Sequence, residues 1–150
     1  YLVKLADDGD YVFQTAKGVI YGIGFIENDP PGGRETYQLS ISNQNKLHAS
    51  YDPDVKNTTL VIVDEFFREN LDGLLYMCDT SDSREAARNR LFLRWFEDYA
   101  DPERFIIKTA SAIIEGQGIY AAIIVENRNP LAKAIIDDFE MTAKMLTEDK

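Results

Sequence analysis

Four arginines lie close together in one short segment of this sequence, and two of them are its best candidates for binding an anion. Arg84, Arg88, Arg90 and Arg94 are accompanied there by one acid, Glu85. At 100° per residue of helix, Arg84 and Arg88 fall on the apolar side, and the other two on the solvent side. A guanidinium group facing a core must be neutralised. We favour an internal ion-pair network with local acids such as Asp79, Asp82 or Glu85. The alternative is that Arg84 and Arg88 are ligands for a phosphate or carboxylate, and they are our candidate anion-binding residues.

The single cysteine, Cys78, precedes Arg84 with five residues between them. Residues 78–84 read Cys-Asp-Thr-Ser-Asp-Ser-Arg, and the cysteine–five residues–arginine spacing resembles the phosphate-binding loop of tyrosine phosphatases. Such a loop needs glycines and bare N–H groups around the anion, whereas Asp79 and Asp82 would repel it. We therefore predict that Cys78 is a buried and inert thiol.

The rest of the sequence does not complete a catalytic or metal site. His48 is the only histidine, so it lacks the second imidazole or the thiolate that a metal site would need. Nucleophile elbows, phosphate-binding glycine loops and dinucleotide fingerprints are also missing from the sequence. The sequence therefore predicts no metal and no cofactor, and it leaves the catalytic residues of any enzyme function unknown.

The composition is that of one globular domain. Of the 150 residues, 45% are hydrophobic and 28% are charged, and a chain of this length can bury a core without disulfides. We therefore interpret residues 1–150 as a single domain. One cysteine favours the reducing cytoplasm, and no apolar run approaches the roughly 20 residues of a membrane helix. Because the sequence begins at Tyr1 rather than methionine, a leader could have been removed.

The net charge of −10 narrows the class of partner. Nucleic acids and anionic membrane surfaces are disfavoured, because phosphate contacts need clustered lysines and arginines. The expected partner is an unknown protein or a small anionic ligand, and a homodimer is compatible with the sequence. An alternative that rests on charge alone is that the acidic chain occupies the nucleic-acid site of a basic protein.

The spacing of apolar residues predicts the elements of the fold. Strands are predicted at residues 10–15, 19–26, 36–42, 74–78, 105–114 and 119–126, and a further strand is allowed at 46–51. Helices are predicted from Pro53 to about residue 70, from 83 to 99, and from Pro130 onwards. The sequence thus predicts an α+β fold: a mainly antiparallel sheet of six or seven strands with three helices packed on it, in the order β-β-β-(β)-α-β-α-β-β-α.

Each helix is predicted to begin at its own capping side chain. Asp52, Asp82 and Asn129 stand at the three helix starts, where a short polar side chain accepts the free N–H groups of the first turn. The commonest ready-made anion sites of a protein would then be occupied by the chain itself. This pattern disfavours nucleotide or coenzyme chemistry.

From the strand meander to the last hairpin, the element order resembles that of the GCN5-related N-acetyltransferases. The resemblance implies a divergent acyl-CoA-dependent N-acyltransferase-like enzyme, with the cofactor pyrophosphate on a glycine-rich loop that precedes a helix. Residues 51–59 occupy that place here and contain no glycine. Pro53 removes an N–H, and Asp52 and Asp54 add negative charge. No binding residue of that family is therefore transferred to this chain.

The sequence also resembles uncharacterised families of small bacterial α+β proteins. The shared features are the opening Tyr-x-Phe-x-Thr…Gly…Tyr and the central Arg-x-Arg-Leu-Phe at residues 88–92. In this sequence the opening pattern consists of Tyr11, Phe13, Thr15, Gly18 and Tyr21. The resemblance implies a fold and no activity.

Because no catalytic constellation is recognised, the sequence predicts a cytoplasmic binding or interaction module. Its contact is expected at an exposed sheet edge, a helix face or a self-pairing surface. The N-acyltransferase-like enzyme is the alternative, so the sequence leaves open whether the chain is an enzyme.

Overall fold

The computed structural model describes residues 1–27, 36–45, 47, 52–79, 84–114 and 116–148, excluding the side chains at 78, 79, 84–89, 112, 114, 117 and 146–148. Over these residues the chain forms seven strands and three helices. In chain order the elements are β1 (Lys4–Leu5), β2 (Tyr11–Gln14), β3 (Ile20–Glu27), β4 (Thr36–Asn43), α1 (Pro53–Glu69), β5 (Gly73–Asp79), α2 (Arg84–Tyr99), β6 (Phe105–Ile114), β7 (Gln117–Glu126) and α3 (Ala132–Glu148).

The α+β class and the order of helices and strands are confirmed. The seven strands form a mostly antiparallel sheet in the order β1-β2-β3-β4-β5-β7-β6. Among the strand pairs whose register is described, β4 and β5 run parallel, with Thr36 opposite Gly73. The short β1 was not predicted, because two residues are too few to show an alternating pattern. The strand allowed at 46–51 falls almost entirely outside the described residues.

Contacts within the chain cluster into two compact units. The first unit comprises Tyr1–Ile26 with Leu39–Asn70, and the second comprises Glu27–Gln38 with Leu71–Lys150. The interpretation of residues 1–150 as a single domain stays a prediction.

The first unit contains α1, whose start follows from its sequence. Asp52 accepts a hydrogen bond from the Asp54 backbone N–H at 2.9 Å, and Pro53 occupies the first turn. Both features are typical of a helix N-terminus. They outweigh the strand propensity of the β-branched residues that follow. Helix α1 packs on β3 through Phe66, whose ring stacks on that of Phe25 with centroids 4.6 Å apart.

Thr59 of α1 carries a buried hydroxyl that the packing does not satisfy. Its side chain is fully buried, and Oγ1 has no hydrogen-bond partner among the described residues. An unsatisfied buried hydroxyl costs free energy, whereas an isosteric methyl group does not. We therefore expect Thr59→Val to raise the free energy of unfolding by about 1 kcal/mol, measured by urea denaturation.

The neighbouring threonine supplies the control for this prediction. Thr58 Oγ1 accepts a hydrogen bond from the backbone nitrogen of Tyr1 at 3.0 Å. Thr58→Val removes a hydrogen bond that is made, so it should destabilise the protein. A loss of stability in Thr59→Val equal to that of Thr58→Val would show that Thr59 Oγ1 is satisfied in solution.

The second unit packs one helix on each face of its strands. On one face, Tyr76 of β5 contacts the Phe96 ring of α2 in a T-shaped arrangement, with centroids 5.4 Å apart. On the other face, Ile123 and Val125 of β7 form a buried cluster with Ile135 and Ile136 of α3. Helix α2 ends at the predicted residue and begins one residue after the predicted start. Phe92 and Trp95, which helical spacing places on the same side as Arg84 and Arg88, are buried, and so is Phe96.

The hairpin of β6 and β7 is the longest pairing in the described sheet. Each strand has ten residues, and the register runs from Phe105 opposite Glu126 to Ile114 opposite Gln117. The connection was predicted at residues 115–118, but it contains only residues 115 and 116, with Gly116 at a φ of 79°. A positive φ in a two-residue turn matches the twist of the strands that it joins.

Candidate functional site

The two arginines named from the sequence lie in the first five residues of α2. The helix begins at Arg84, and Arg88 follows one turn later. Their side chains lie outside the described residues, so their role as anion ligands stays a prediction. The same holds for Cys78, whose backbone belongs to β5, for His48 and for the cap Asp82. Arg90 and Arg94 are exposed, as predicted.

Two of the three predicted caps are confirmed. Asp52 accepts from the Asp54 N–H at the start of α1, and Asn129 Oδ1 accepts from the Leu131 N–H at 2.8 Å before α3. These side chains occupy N–H groups that an anionic ligand would otherwise use. Both helix starts are therefore poor sites for a phosphate group.

A tyrosine hydroxyl holds the cap of α1. The Tyr1 hydroxyl donates a hydrogen bond to Asp52 Oδ2. This bond is the largest cause that lowers the pKa of Asp52 below its ordinary value of 3.8, and it also raises the pKa of Tyr1. A carboxyl group whose pKa is lower in the folded than in the unfolded state stabilises the fold at pH values above its unfolded-state pKa. This contribution is lost as the pH falls through the folded-state pKa.

We expect Tyr1→Phe to raise the pKa of Asp52 towards 3.8 and to reduce stability at neutral pH. Because a protonated Asp52 no longer gains from the bond, the difference from the wild type should shrink at a pH well below 3.8. An NMR titration of the carboxyl carbon with denaturation at both pH values measures the two effects. An unchanged pKa of Asp52 in Tyr1→Phe would contradict the assignment.

A buried carboxylate held by two arginines lies at the base of the β6–β7 hairpin. We call it the Glu126 cluster, and it consists of Glu126, Arg104 and Arg128. The Glu126 side chain is only 3% exposed, and its Oε2 lies 3.3 Å from Arg104 Nε and 3.0 Å from Arg128 Nε. Arg128 Nη2 donates to the other oxygen at 3.3 Å, so the carboxylate is bound by both of its oxygens.

The backbone around the Glu126 cluster is fixed by further contacts. The Arg104 guanidinium group lies over the Phe105 ring, 4.6 Å from its centroid. The Asn127 N–H donates to the Arg104 carbonyl at 2.8 Å, and the Phe105 N–H donates to the Asp101 carbonyl at 2.7 Å. A carboxylate with this many donors is suited to holding the strand ends together. It is poorly suited to proton transfer, because three guanidinium N–H groups already occupy three of its roughly four lone-pair positions.

Sequence reasoning missed the Glu126 cluster and placed a comparable arrangement at Arg84 and Arg88. In the sequence, Glu126 reads as the polar end of an apolar strand, and Arg104 stands 22 residues earlier. Only the hairpin register, which sets Phe105 opposite Glu126, brings the charges together. The sequence pattern that could have indicated the Glu126 cluster is an acid at the end of the last strand, Glu126, with an arginine just before the predicted hairpin and another just after it, Arg104 and Arg128.

Besides the Glu126 cluster, the edge of β6 that faces away from β7 is a candidate binding site. In the strand order β6 is terminal, and within the described ranges its one strand neighbour is β7. In a hairpin with a two-residue turn, the residues that flank the turn form a hydrogen-bonded pair, and such pairs then alternate along the strands. Starting from Ile114 opposite Gln117, the even-numbered residues of β6 therefore bond to β7.

Two hydrogen bonds outside the ladder confirm this alternation. Arg104, an even-numbered residue, accepts from Asn127 on the β7 side, whereas Phe105 donates away from β7 to Asp101. The backbone N–H and C=O groups of Ile107, Thr109, Ser111 and Ile113 therefore point away from β7. We define the outer edge of β6 as these backbone groups.

The outer edge of β6 carries few of the usual devices that protect a strand edge. Natural edge strands are short, or carry charges, prolines or bulges. At the other end of the strand order, β1 has two residues. In contrast, β6 has ten residues, and among them Lys108 is the only charged side chain. Thr109 and Ser111 are exposed, and Ile113 is 64% exposed.

The described residues contain no group of three or more His, Cys, Asp or Glu side chains placed to hold a metal ion. None of the helices in the described part of the chain is both long and apolar enough to cross a membrane.

Comparison with known proteins places the chain in a family. No curated protein and no solved structure matches it, and a relationship to the N-acetyltransferases is not found. A family model described as a family of unknown function (DUF6169) matches residues 51–141, more than half of the chain. The matched segment contains both the Glu126 cluster and β6. The chain therefore belongs to the DUF6169 family of unknown function, which confirms the resemblance to an uncharacterised family.

Proposed function

We propose that this chain is a cytoplasmic, non-catalytic interaction module that binds another polypeptide strand along the outer edge of β6. The observation that carries the proposal is the combination of length, low charge and outward-pointing backbone groups at this edge. A row of unpaired N–H and C=O groups is a template for one more strand. Side chains on alternate positions then select which strand binds.

The Glu126 cluster supports this proposal by fixing the strand that binds. Its two arginines and the backbone bonds at Arg104 and Phe105 hold the start of β6 against the end of β7. A preorganised strand loses less conformational entropy when a partner pairs with it. The cluster is thus a structural support for the edge, and no ligand is required to explain it.

The charge of the chain favours a protein partner over a nucleic acid. With a net charge of −10, the surface repels phosphate backbones. The segment 105–114 carries one lysine and no acid, so a strand can approach it without strong charge repulsion. The single cysteine fits the reducing compartment that we propose.

The N-acyltransferase-like enzyme is the second candidate, and the element order from β2 to β7 favours it. The start of α1, where the resemblance places the cofactor pyrophosphate, argues against it. There Asp52 already takes the Asp54 N–H, and both carboxylates lie where a phosphate group would have to bind. Calorimetric titration with acetyl-coenzyme A separates the candidates, because micromolar binding would favour the enzyme.

Removal of one outward N–H group tests the proposed function. Thr109→Pro deletes a donor of the outer edge and leaves the bonds to β7 intact. Thr109→Val is the matched control, because it changes the same side chain and keeps the N–H. In cells that express the tagged chain, chemical cross-linking should trap the wild type and Thr109→Val in an assembly larger than the monomer.

The proline variant should be recovered from the same cells at the monomer mass. An assembly that persists unchanged in Thr109→Pro would exclude the outer edge of β6 as the contact. A wild-type chain that is monomeric in cells would exclude the interaction module altogether.

A further inference from the structure

We infer that the partner strand is β6 of a second copy, which pairs antiparallel across a two-fold axis at Ala110; the inference rests on the proposed function. A two-fold interface places residue i opposite j and residue j opposite i. A strand that pairs with itself in this way must therefore carry side chains that suit each other when the strand is reversed. The sequence of β6 meets this requirement.

The segment 106–114 is close to a palindrome about Ala110. It reads Ile-Ile-Lys-Thr-Ala-Ser-Ala-Ile-Ile. In the register centred on Ala110, Ile107 lies opposite Ile113 of the second copy, and Thr109 lies opposite Ser111. Apolar residues thus meet apolar residues, and hydroxyl groups meet hydroxyl groups, which is the pairing that stabilises neighbouring strands.

This register also uses every outward group of the edge. The four outward residues are Ile107, Thr109, Ser111 and Ile113, and in this register each one faces another outward residue. Outward residues that face each other in antiparallel strands exchange two hydrogen bonds per pair. A register centred on Thr109 would place Ile113 opposite Phe105 of the second copy, and the Phe105 N–H already donates to Asp101. Centring on Ser111 would leave Ile107 without an outward partner.

Charge repulsion between the copies is small at this edge. The one charged residue, Lys108, lies opposite Ala112 of the second copy. The two lysines are therefore offset by four residues along the strands, which is roughly 14 Å. That separation exceeds the Debye length of about 8 Å at physiological ionic strength. Elsewhere the chain carries 26 acids against 16 bases, so an average surface would repel its copy more strongly.

Self-pairing also closes the edge. A strand edge that stays open can add chains without limit, whereas a two-fold pair consumes both edges at once. After pairing, the terminal strand of each copy is the two-residue β1. A single pair of strands forms a small interface, below about 1,200 Å² in total. The dimer should therefore dissociate on dilution.

A cysteine at the two-fold axis tests the register. Ala110 faces itself as a non-hydrogen-bonded pair, in which the Cα atoms are about 4.5 Å apart, and this is within the range that a disulfide spans. Ala110→Cys, with Cys78→Ser to remove the natural thiol, should form a disulfide-linked dimer as the major product under mild oxidation. Lys108→Cys in the same background is the control, because its sulfurs would be too far apart.

Sedimentation of the purified protein gives the second readout. Wild type and Thr109→Val should pass from monomer to dimer as concentration rises, and Thr109→Pro should weaken the dimer by about tenfold or more. Equal cross-linking at positions 108 and 110 would overturn the register. A purified chain that stays monomeric at every concentration would overturn self-pairing. If that monomer still joins a proline-sensitive assembly in cells, the proposed function stands and the partner is a different protein.

Discussion

Replacing Arg104 and Arg128 together by methionine is expected to lower the free energy of unfolding by about 2–4 kcal/mol. Methionine keeps the apolar stems of the two side chains. The change leaves Glu126, which is only 3% exposed, as a buried charge without its partners. The arginines are themselves 42% and 64% exposed, so the loss should be smaller than for a wholly buried pair. Denaturant unfolding at neutral pH measures the effect.

A third substitution makes this prediction specific. Glu126→Gln should destabilise the wild type but stabilise the double methionine variant, because in that background it removes an unpaired buried charge. Lys133→Met serves as a control. Lys133 pairs with Asp137 at 2.9 Å on the surface, and exposed pairs contribute little. A Glu126→Gln effect of the same sign in both backgrounds would mean that the arginines do not neutralise the carboxylate.

A second large effect is expected from proline substitutions at two neighbouring residues of β6, Thr109 and Ala110, which should differ in their cost to stability. By the hairpin register, Ala110→Pro removes an N–H that bonds to Ala121 in β7. Because it leaves the acceptor unpaired, it should cost about 2–3 kcal/mol. Thr109→Pro removes an N–H of the outer edge, and in dilute protein it should cost about 1 kcal/mol or less. Thermal unfolding of the two variants measures the difference. A larger loss in Thr109→Pro than in Ala110→Pro would reverse the assigned directions of the N–H groups.

Local patterns were enough to predict the three helices and the strands from β2 to β7. The start of α1 was visible because Asp52 and Pro53 are typical of a helix N-terminus. The apolar spacing of α2 predicted that Arg90 and Arg94 are solvated, and both are exposed. These features depend on residues within about one helical turn of each other, so the sequence alone contains them.

The two features that carry the account depend on register and strand order instead. A four-residue turn at 115–118 would have placed Phe105 opposite residue 128, and the Glu126 cluster would not have been expected. The observed two-residue turn places Phe105 opposite Glu126. The insertion of β7 between β5 and β6 makes β6 terminal, and no local pattern in the sequence encodes that order. Arg84 and Arg88 illustrate a different limit, since helical spacing gives the side of a helix but not the partner of a charge.

Amide hydrogen exchange shows whether the odd-numbered N–H groups of β6 are unpaired in the monomer, because it reports each backbone N–H separately. In dilute protein that sediments as a monomer, the amides of Ile107, Thr109, Ser111 and Ile113 should exchange about tenfold or more faster than those of Ile106, Lys108 and Ala110. The fast amides should become protected as the concentration rises and the dimer forms. Uniformly slow exchange in the monomer would show that the outer edge of β6 is already covered and would contradict the account.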